Sequence, residues 1–253
     1  MTWQCVGCDK TNRPLRSRVI KEDVQAIRAI VSVYEDYTVL AFRYTANIKN
    51  IWQDLLWAIQ VQEENAPKGC KVQKQYDNMW NSIRNQTKAD LIANSHTKRL
   101  IITGISLGGG LALLSYVDIH SWNIFNNIEI ITYGCPRVGN ANWAKWMETQ
   151  VEPDPVHICL KGDPICVLPR CLTPICNYKH SGRGFSCNKK TQTCTATGVK
   201  GYEWGVEELD ALVSNVIEAF TEQEEENEEV GGIISGLIDH IQNYKTLKEF
   251  AWV

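Results

Sequence analysis

The order of hydrophobic and polar positions divides the chain into segments with two different periods. Alternating or short continuous apolar runs indicate strands, and apolar residues three or four positions apart indicate helices. The predicted strands are 24–34, 37–42, 99–103, 128–133 and 156–160, and the first two are predicted to pair as a hairpin. The predicted helices are 48–59, 72–92, 107–120 and 141–149. Residues 1–18 show neither period and are predicted to be irregular.

Strands and helices alternate after residue 99, which is typical of a parallel sheet with crossover helices. The carboxyl ends of parallel strands meet at one edge of the sheet. We therefore expect three turns to lie together there, around Ser106, at 134–140 and at Asp163.

The turn around Ser106 reads Gly-Ile-Ser-Leu-Gly and joins an apolar strand to an apolar helix. In that setting the pattern predicts a nucleophile elbow, with the serine hydroxyl standing above the sheet edge. Gly104 and Gly108 leave space where a Cβ would clash between the crossing strand and helix. Because the motif alone is common, a glycine-rich turn that binds phosphate is the alternative interpretation.

A nucleophilic serine needs a base and a group that orients the base. In folds with a nucleophile elbow, the carboxylate follows the serine and the histidine comes last. Asp163 lies at a predicted strand end, although a turn-forming Asp-Pro is the alternative. His180 and His240 follow it, and Asp239 is a poorer orienter because adjacent helical side chains diverge. The other histidines are expected at the surface or satisfied in the core: His96, His120 and His157.

An oxyanion hole requires two backbone N–H groups. One is expected from Leu107, the residue after the serine. The other is expected from the loop after an earlier strand, at Thr45.

Composition predicts one domain over residues 1–253. The chain has 253 residues, 44% hydrophobic and 22% charged, which suffices for a sizeable core. A net charge of −3 gives no basic excess for nucleic acid. No apolar run is long enough to cross a bilayer. The oligomeric state is left open.

The ten cysteines, six of them within 159–194, are typical of a disulfide framework in an oxidising compartment. Cys187 and Cys194 bracket a predicted hairpin that a disulfide would close. The Cys-x-x-Cys motif of Cys5 and Cys8 has no second pair at zinc-ligand spacing, which favours a local disulfide over a metal. A metal-binding module in 159–194 and a cytosolic protein with reduced thiols are the alternatives.

The first residues lack the basic start and apolar core of a signal peptide, so we expect a mature or truncated chain. A glycosylation sequon at Asn85 gives weak support for secretion. The later pattern predicts a helix at 209–220, an acidic stretch at 222–229 and a last helix at 234–249. We interpret the acidic stretch as the solvated end of a surface helix.

Several segments resemble, in the same order, motifs of the class 3 lipases, a family of secreted fungal triacylglycerol lipases and feruloyl esterases. These segments are FRYT (42–45), IWQDL (51–55), TGISLGGGLALL (103–114), YGCPRVGN (133–140), GDPICVLP (162–169), YKHSG (178–182) and DH (239–240). The resemblance covers most of the chain. It implies an α/β-hydrolase fold, with a mostly parallel central sheet flanked by helices. From the change in composition after residue 166, we expect a cysteine-rich insertion at 166–232 before the C-terminal helix.

The resemblance also implies roles for individual residues. Ser106 would be the nucleophile, Asp163 the acid and His240 the base, whereas His180 falls on a non-catalytic histidine of the family. No metal or organic cofactor is implied.

The resemblance places a lid helix at residues 46–58. Thr45 and Leu107 would supply the oxyanion hole. The lid and substrate-binding residues would be Tyr44, Ile48, Ile51, Trp52 and Leu55.

Some positions depart from the family pattern. Tyr44 replaces a glycine next to the oxyanion residue, and we expect its side chain to narrow the acyl site or to constrain the loop backbone. Ile105 replaces the usual histidine of the elbow, and Tyr244 is offset from the family's late tyrosine. The stretch 201–232 is longer than the family pattern, so the placement of His240 depends on how that stretch folds.

The sequence therefore predicts a serine-dependent carboxylic ester hydrolase, specifically a lipase that acts on acylglycerols at a lipid–water interface. An esterase or phospholipase A1 of the same fold, and a non-catalytic lipid- or protein-binding relative, are the alternatives. We expect secretion or another oxidising compartment, with a cytoplasmic location as the alternative.

Overall fold

A computed structural model describes residues 14–25, 27–43, 59–169, 177–188, 191 and 193–197. The helices are α1 (Lys74–Ala93), α2 (Leu107–Ser121) and α3 (Ala141–Gln150). The strands are β1 (Arg16–Glu22), β2 (Ile27–Val33), β3 (Thr38–Phe42), β4 (Gln60–Gln62), β5 (Lys71–Gln73), β6 (Arg99–Ile105), β7 (Asn127–Tyr133), β8 (Gly139–Asn140), β9 (Val156–Leu160), β10 (Tyr178–Lys179), β11 (Arg183–Asn188) and β12 (Thr193–Ala196). The Cys-x-x-Cys motif and the predicted helices at 209–220 and 234–249 lie outside the described residues.

The larger sheet has the strand order β1-β2-β3-β6-β7-β9-β11-β12. The five strands from β3 to β11 run parallel, and antiparallel strands extend the sheet at both ends. The mostly parallel sheet is therefore confirmed, as is the hairpin now formed by β2 and β3. The predicted disulfide between Cys187 and Cys194 closes the β11–β12 hairpin.

The N-terminal edge differs from the prediction. β1 begins at Arg16, whereas the pattern predicts irregular chain up to residue 18. Only Ile20 of this strand is buried. An edge strand that faces solvent on most sides carries no apolar alternation, so the pattern misses it.

The start of α1 also differs from the prediction. The predicted helix includes Val72, but Val72 belongs to β5 and the helix begins at Lys74. Gln73 is the N-cap, and its side chain accepts a hydrogen bond from Tyr76 N at 2.9 Å. Gln73 is thus both the last residue of β5 and the N-cap of α1, so the helix begins directly after the strand.

Helix α2 is buried along most of its length. Its residues from Leu107 to Ile119 are all buried, so the helix has no solvent-facing side along this length. A helix of this kind lies in a core. The sheet covers one side of α2 and α1 covers another. Trp80 of α1 also packs against Phe42 of β3, with ring centroids 6.2 Å apart.

One buried carboxylate on α2 connects three segments. Asp118 is 2% exposed and accepts hydrogen bonds from Trp80 Nε1 and Asn65 Nδ2, each at 2.6 Å. Arg84 Nε lies 2.8 Å from the same carboxylate. A buried charge is tolerated when it is paired and hydrogen-bonded in this way. The loop that contains Asn65 is thereby fastened to both α1 and α2.

The smaller sheet has the order β10-β8-β5-β4. Asn140 is central to it, because its Oδ1 accepts from Lys71 N at 3.1 Å and from Trp143 N at 2.9 Å. Its Nδ2 donates to Gly69 O at 2.9 Å. One side chain therefore caps α3 and holds the β4–β5 hairpin.

The β4–β5 hairpin contains a carboxyl group that is almost fully buried. Glu63 is 6% exposed, and its Oε1 accepts from Asn65 N at 3.3 Å. Burial raises its pKa from 4.5 to about 7, and the nearby Asp77 and Asp118 carboxylates add to the rise, which Asn65 and Arg84 oppose. The folded protein therefore holds a proton on Glu63 at pH values where the unfolded chain does not.

We predict that Glu63 makes the protein less stable as the pH rises from about 4.5 to about 7. In that window the folded state binds more protons than the unfolded state, so the free energy of unfolding falls by at most about 1.4 kcal/mol per pH unit. Glu63→Gln should flatten this dependence in urea unfolding measured at several pH values. Glu64→Gln is the control, because the Glu64 side chain is 81% exposed and should leave the slope unchanged. An unchanged slope in Glu63→Gln would contradict the assignment.

Candidate active site

Ser106 lies in the turn between β6 and α2 and is 7% exposed. Its backbone has φ 56° and ψ −125°, a combination that residues with a Cβ rarely adopt. Its N–H donates to Tyr133 O at 2.8 Å, and its carbonyl accepts from Gly109 N at 2.9 Å. The predicted strand–turn–helix is therefore present. A serine at a position where glycine would be unstrained favours a role for its hydroxyl over a simple phosphate-binding turn.

The two glycines of the motif stand where strand and helix cross. A Cβ on Gly104 would lie 2.1 Å from Gly108 O, and a Cβ on Gly108 would lie 2.4 Å from Phe42 O. Both distances are shorter than any real contact, so neither position accepts a side chain. The predicted need for space at both glycines is confirmed.

The first turn of α2 is packed as tightly as the elbow. A Cβ on Gly109 would lie 2.9 Å from Cys135 Cβ, and a Cβ on Gly110 would lie 2.5 Å from the Tyr76 ring. Leu107 is the first residue of this helix. The first N–H groups of a helix have no acceptor within it and form its positive end. This end of α2 is therefore suited to a developing oxyanion.

Asp163 follows β9 and is half-buried. Its N–H donates to Leu160 O at 3.0 Å, and its Oδ1 accepts from Ile165 N at 3.0 Å. The carboxylate therefore caps the short 3-10 turn Pro164–Val167. Its Oδ2 lies 3.6 Å from Cys166 Sγ. That sulfur belongs to a disulfide and has no hydrogen, so the contact is packing and not a hydrogen bond. The turn-forming role of Asp163 is observed, and it leaves the carboxylate at the sheet edge.

Ser106 and Asp163 leave the same edge of the sheet. Ile105 lies opposite Tyr133 on β7, and Tyr133 lies opposite Ile158 on β9. One strand separates the two exits, which corresponds to about 10 Å between β6 and β9. The prediction that these strand ends lie at one edge of the sheet is confirmed. A further side chain would be needed to link the Ser106 hydroxyl to the Asp163 carboxylate.

Two histidines near this edge are buried. His157 Nε2 donates to Ser181 O, so its Nδ1 accepts from Thr132 Oγ1 at 2.7 Å. His180 is 1% exposed, and its Nε2 donates to Cys166 O at 2.6 Å. Burial lowers the pKa of His157 to about 4 and that of His180 well below its usual value. His157 is the satisfied core histidine that was predicted, and the carbonyl bond of His180 disfavours it as the base.

Arg137, to which the sequence assigns no role, connects the turn after β7 to the segment that follows Asp163. Arg137 N donates to Leu168 O at 2.6 Å, and Arg137 Nη1 donates to Pro169 O at 3.4 Å. Arg137 is 8% exposed. In the sequence, only its place inside the YGCPRVGN segment suggests that Arg137 has a role, and that segment does not indicate which residues it contacts. The arginine fixes the β7 exit against the segment that follows Asp163.

The remaining predicted site residues lie outside the described residues. They are Tyr44, Thr45, Ile48, Ile51, Trp52, Leu55 and His240. The chain that leads to Thr45 is described as far as Arg43. A Cβ on Gly108 would lie 2.9 Å from Arg43 O, so this chain crosses directly over the first turn of α2. The predicted oxyanion role of Thr45 stays a prediction.

Among residues 14–43, 59–169 and 177–197, with their small gaps, no three His, Cys, Asp or Glu side chains are grouped to hold a metal ion. None of the three helices in the described part of the chain has both the length and the apolar character of a bilayer span.

A strained serine between a parallel strand and a buried helix, with a carboxylate two strands away, is the arrangement of an α/β-hydrolase fold. The family described as Lipase (class 3) matches residues 39–173, which is more than half of the chain. The protein therefore belongs to the class 3 lipase family.

Individual relatives match with lower identity. A lipase of Rhizomucor miehei is 27% identical over 155 residues, covering 58% of this chain and 42% of the relative. A lipase of Rhizopus niveus is 29% identical over 167 residues, covering 58% and 39%. The chain thus spans about two fifths of the length of these curated relatives.

Solved structures show the same fold. The triacylglyceride lipase of Rhizomucor miehei has a TM-score of 0.65 at 19% identity, over 76% of this chain and 73% of that one. A fungal lipase–inhibitor complex, described as a model for interfacial activation, has a TM-score of 0.67 at 22% identity, over 83% and 80%. At these identities the likeness concerns the fold alone.

We predict that Ser106→Gly is more stable than Ser106→Ala by about 1 kcal/mol, because glycine adopts φ 56° without strain. Both variants lack the hydroxyl, so urea unfolding isolates the backbone effect. Ser115, which is fully buried inside α2, is the matched control. There the order should reverse, because alanine is better than glycine in a helix interior by about 1 kcal/mol. Equal stability of the two Ser106 variants would argue against strain in the elbow.

Proposed function

We propose that the protein is a serine-dependent carboxylic ester hydrolase, and specifically a lipase that cleaves acylglycerols through an acyl-enzyme. The observation that carries this proposal is the strained backbone of Ser106 at the edge of the sheet. Membership of the class 3 lipase family supports the same chemistry.

In the proposed reaction the Ser106 hydroxyl attacks the ester carbonyl while His240 takes its proton. Backbone N–H groups of Leu107 and Thr45 stabilise the oxyanion of the tetrahedral intermediate. His240 then protonates the leaving alcohol, and the acyl group stays on Ser106. Water deprotonated by His240 releases the carboxylic acid and restores the serine. Asp163 holds the imidazole in the tautomer that accepts from Ser106.

The proposed substrate-binding segment is the chain between β3 and β4. The apolar positions of the proposed lid at 46–58 would meet lipid when it opens, and they are Ile48, Ile51, Trp52 and Leu55. Tyr44 would restrict the space beside the oxyanion hole. The partner is therefore an ester substrate at a lipid–water interface. An esterase or a phospholipase A1 would use the same triad on a different substrate.

An oxidising compartment, and secretion in particular, is the proposed location. Two disulfides, Cys159–Cys166 and Cys187–Cys194, support it. The free thiols of Cys70 and Cys135 are buried. Burial raises the pKa of both thiols, so they stay protonated and unreactive under the same conditions.

The first test is Ser106→Ala. We expect hydrolysis of a p-nitrophenyl ester to fall by a factor on the order of a thousand or more, because the nucleophile is lost. A fluorophosphonate probe should label the unmodified protein and not the variant. Ser115→Ala, in the helix that follows Ser106, should keep both activity and labelling. An intact protein that neither hydrolyses esters nor reacts with the probe would favour a non-catalytic lipid- or protein-binding relative.

The second test concerns the substrate. Hydrolysis of acylglycerols should rise sharply when the substrate passes its solubility limit, because an apolar lid opens at the interface. Short soluble esters and phospholipids complete the panel. A rate that saturates below the solubility limit would identify an esterase, and release of the sn-1 acid from phospholipid alone would identify a phospholipase A1.

A further inference from the structure

The loop that contains Asp163 is closed by a disulfide. Cys159, near the end of β9, is bonded to Cys166 in the 3-10 turn, with a sequence separation of 7. Cys159 is fully buried and Cys166 is 1% exposed. The loop between them carries the exposed residues Lys161 and Gly162 at its tip. The disulfide therefore joins the two buried ends of a loop whose tip stands in solvent.

We propose that the Cys159–Cys166 disulfide is a positioning device that holds the Asp163 carboxylate in place for the base. This inference rests on the proposed function, because it assigns Asp163 the role of orienting the catalytic histidine. The disulfide does not touch the reacting atoms and acts only through Asp163.

The contacts of the loop support this role. Asp163 Oδ2 rests 3.6 Å from Cys166 Sγ, and Asp163 Oδ1 accepts from Ile165 N at 3.0 Å. The disulfide fixes Cys166 relative to β9, so it also fixes the turn that supplies the Ile165 N–H. Both oxygens of the carboxylate are thereby located by residues that the disulfide immobilises.

The loop tip offers less restraint than its ends. Gly162 has φ +83°, and no atom lies within 4 Å of the position of a Cβ there. Lys161 N donates to Cys187 O at 2.9 Å, which continues the β9–β11 pairing by one residue. Beyond that bond the chain turns in solvent before it reaches Asp163. Without the disulfide, a short loop of this kind regains conformational freedom.

A second attachment limits the effect of losing the disulfide. His180 Nε2 donates to Cys166 O at 2.6 Å and holds the same residue from the β10 side. The loop should therefore loosen rather than unfold. Misplacement of a catalytic group by about 1 Å costs up to about a hundredfold in rate, and a partial loosening corresponds to about tenfold.

The test compares two disulfides of equal span. Cys159→Ala/Cys166→Ala removes the proposed positioning device, and Cys187→Ala/Cys194→Ala removes the other disulfide, also with a sequence separation of 7. A third variant, Cys159→Ala/Cys166→Val, refills part of the buried space to preserve folding. Hydrolysis of a soluble p-nitrophenyl ester is expressed per folded molecule, from the amplitude of the thermal unfolding transition.

We expect kcat to fall about tenfold in both Cys159/Cys166 variants, with KM changed less than about threefold. The acid limb of the kcat/KM pH profile should move to lower pH, because a displaced carboxylate no longer raises the pKa of the base. The Cys187/Cys194 variant should keep the kcat and the pH profile of the unmodified protein.

Three results would overturn the inference. They are a kcat within about twofold of the Cys187/Cys194 variant, a loss of kcat with an unmoved acid limb, and failure of both Cys159/Cys166 variants to fold. The last would make the disulfide a requirement for folding and not for position. If the unmodified protein neither hydrolyses esters nor reacts with fluorophosphonate, the proposed function itself has failed. Full activity of the variants in an active enzyme refutes only the positioning role.

Discussion

The structure depends on the close approach of α2 to β6 at Gly104 and to β3 at Gly108. A side chain on Gly104 would meet Gly108 O at 2.1 Å, and one on Gly108 would meet Phe42 O at 2.4 Å, so either would drive the helix and a strand apart. This contact forces the tight turn in which Ser106 takes its strained conformation. It also brings the end of β3 over the first turn of α2. The serine, the start of the helix and the chain that leads to Thr45 are therefore set by one packing requirement.

Asp163 is positioned by other means than Ser106. Ser106 is held by close-packed backbone, whereas Asp163 sits on a loop secured by a disulfide, by a turn that it caps itself and by His180. The buried histidines His157 and His180 each donate a hydrogen bond to a backbone carbonyl, and burial lowers the pKa of both, so they stay uncharged near neutral pH.

The sequence predicts the part of the fold in which local pattern and tertiary structure agree. The glycines around Ser106, the apolar strands β6, β7 and β9, and the β11–β12 disulfide all carry their signal in adjacent residues. The pattern misses β1 and the start of α1, because an edge strand has no alternation and Gln73 replaces a commoner cap residue. The sequence also does not indicate what Arg137 and Cys159 contact. Arg137 binds a carbonyl 32 residues away, and no local pattern distinguishes Cys166 from the other cysteines as the partner of Cys159. His240 and the residues from Tyr44 to Leu55 stay predictions.

The smaller sheet joins parts of the chain that are far apart in sequence. Lys71 N reaches the Asn140 side chain, 69 residues away, and Asn140 lies opposite Tyr178 in β10. Each such connection closes a long loop, at an entropic cost that grows with loop length. The smaller sheet therefore has high contact order, and its few residues make few contacts that offset this entropic cost. We therefore expect its amides to lose protection from hydrogen exchange before those of β6 and β7, so the chain that follows the proposed lid would open while the elbow stays folded.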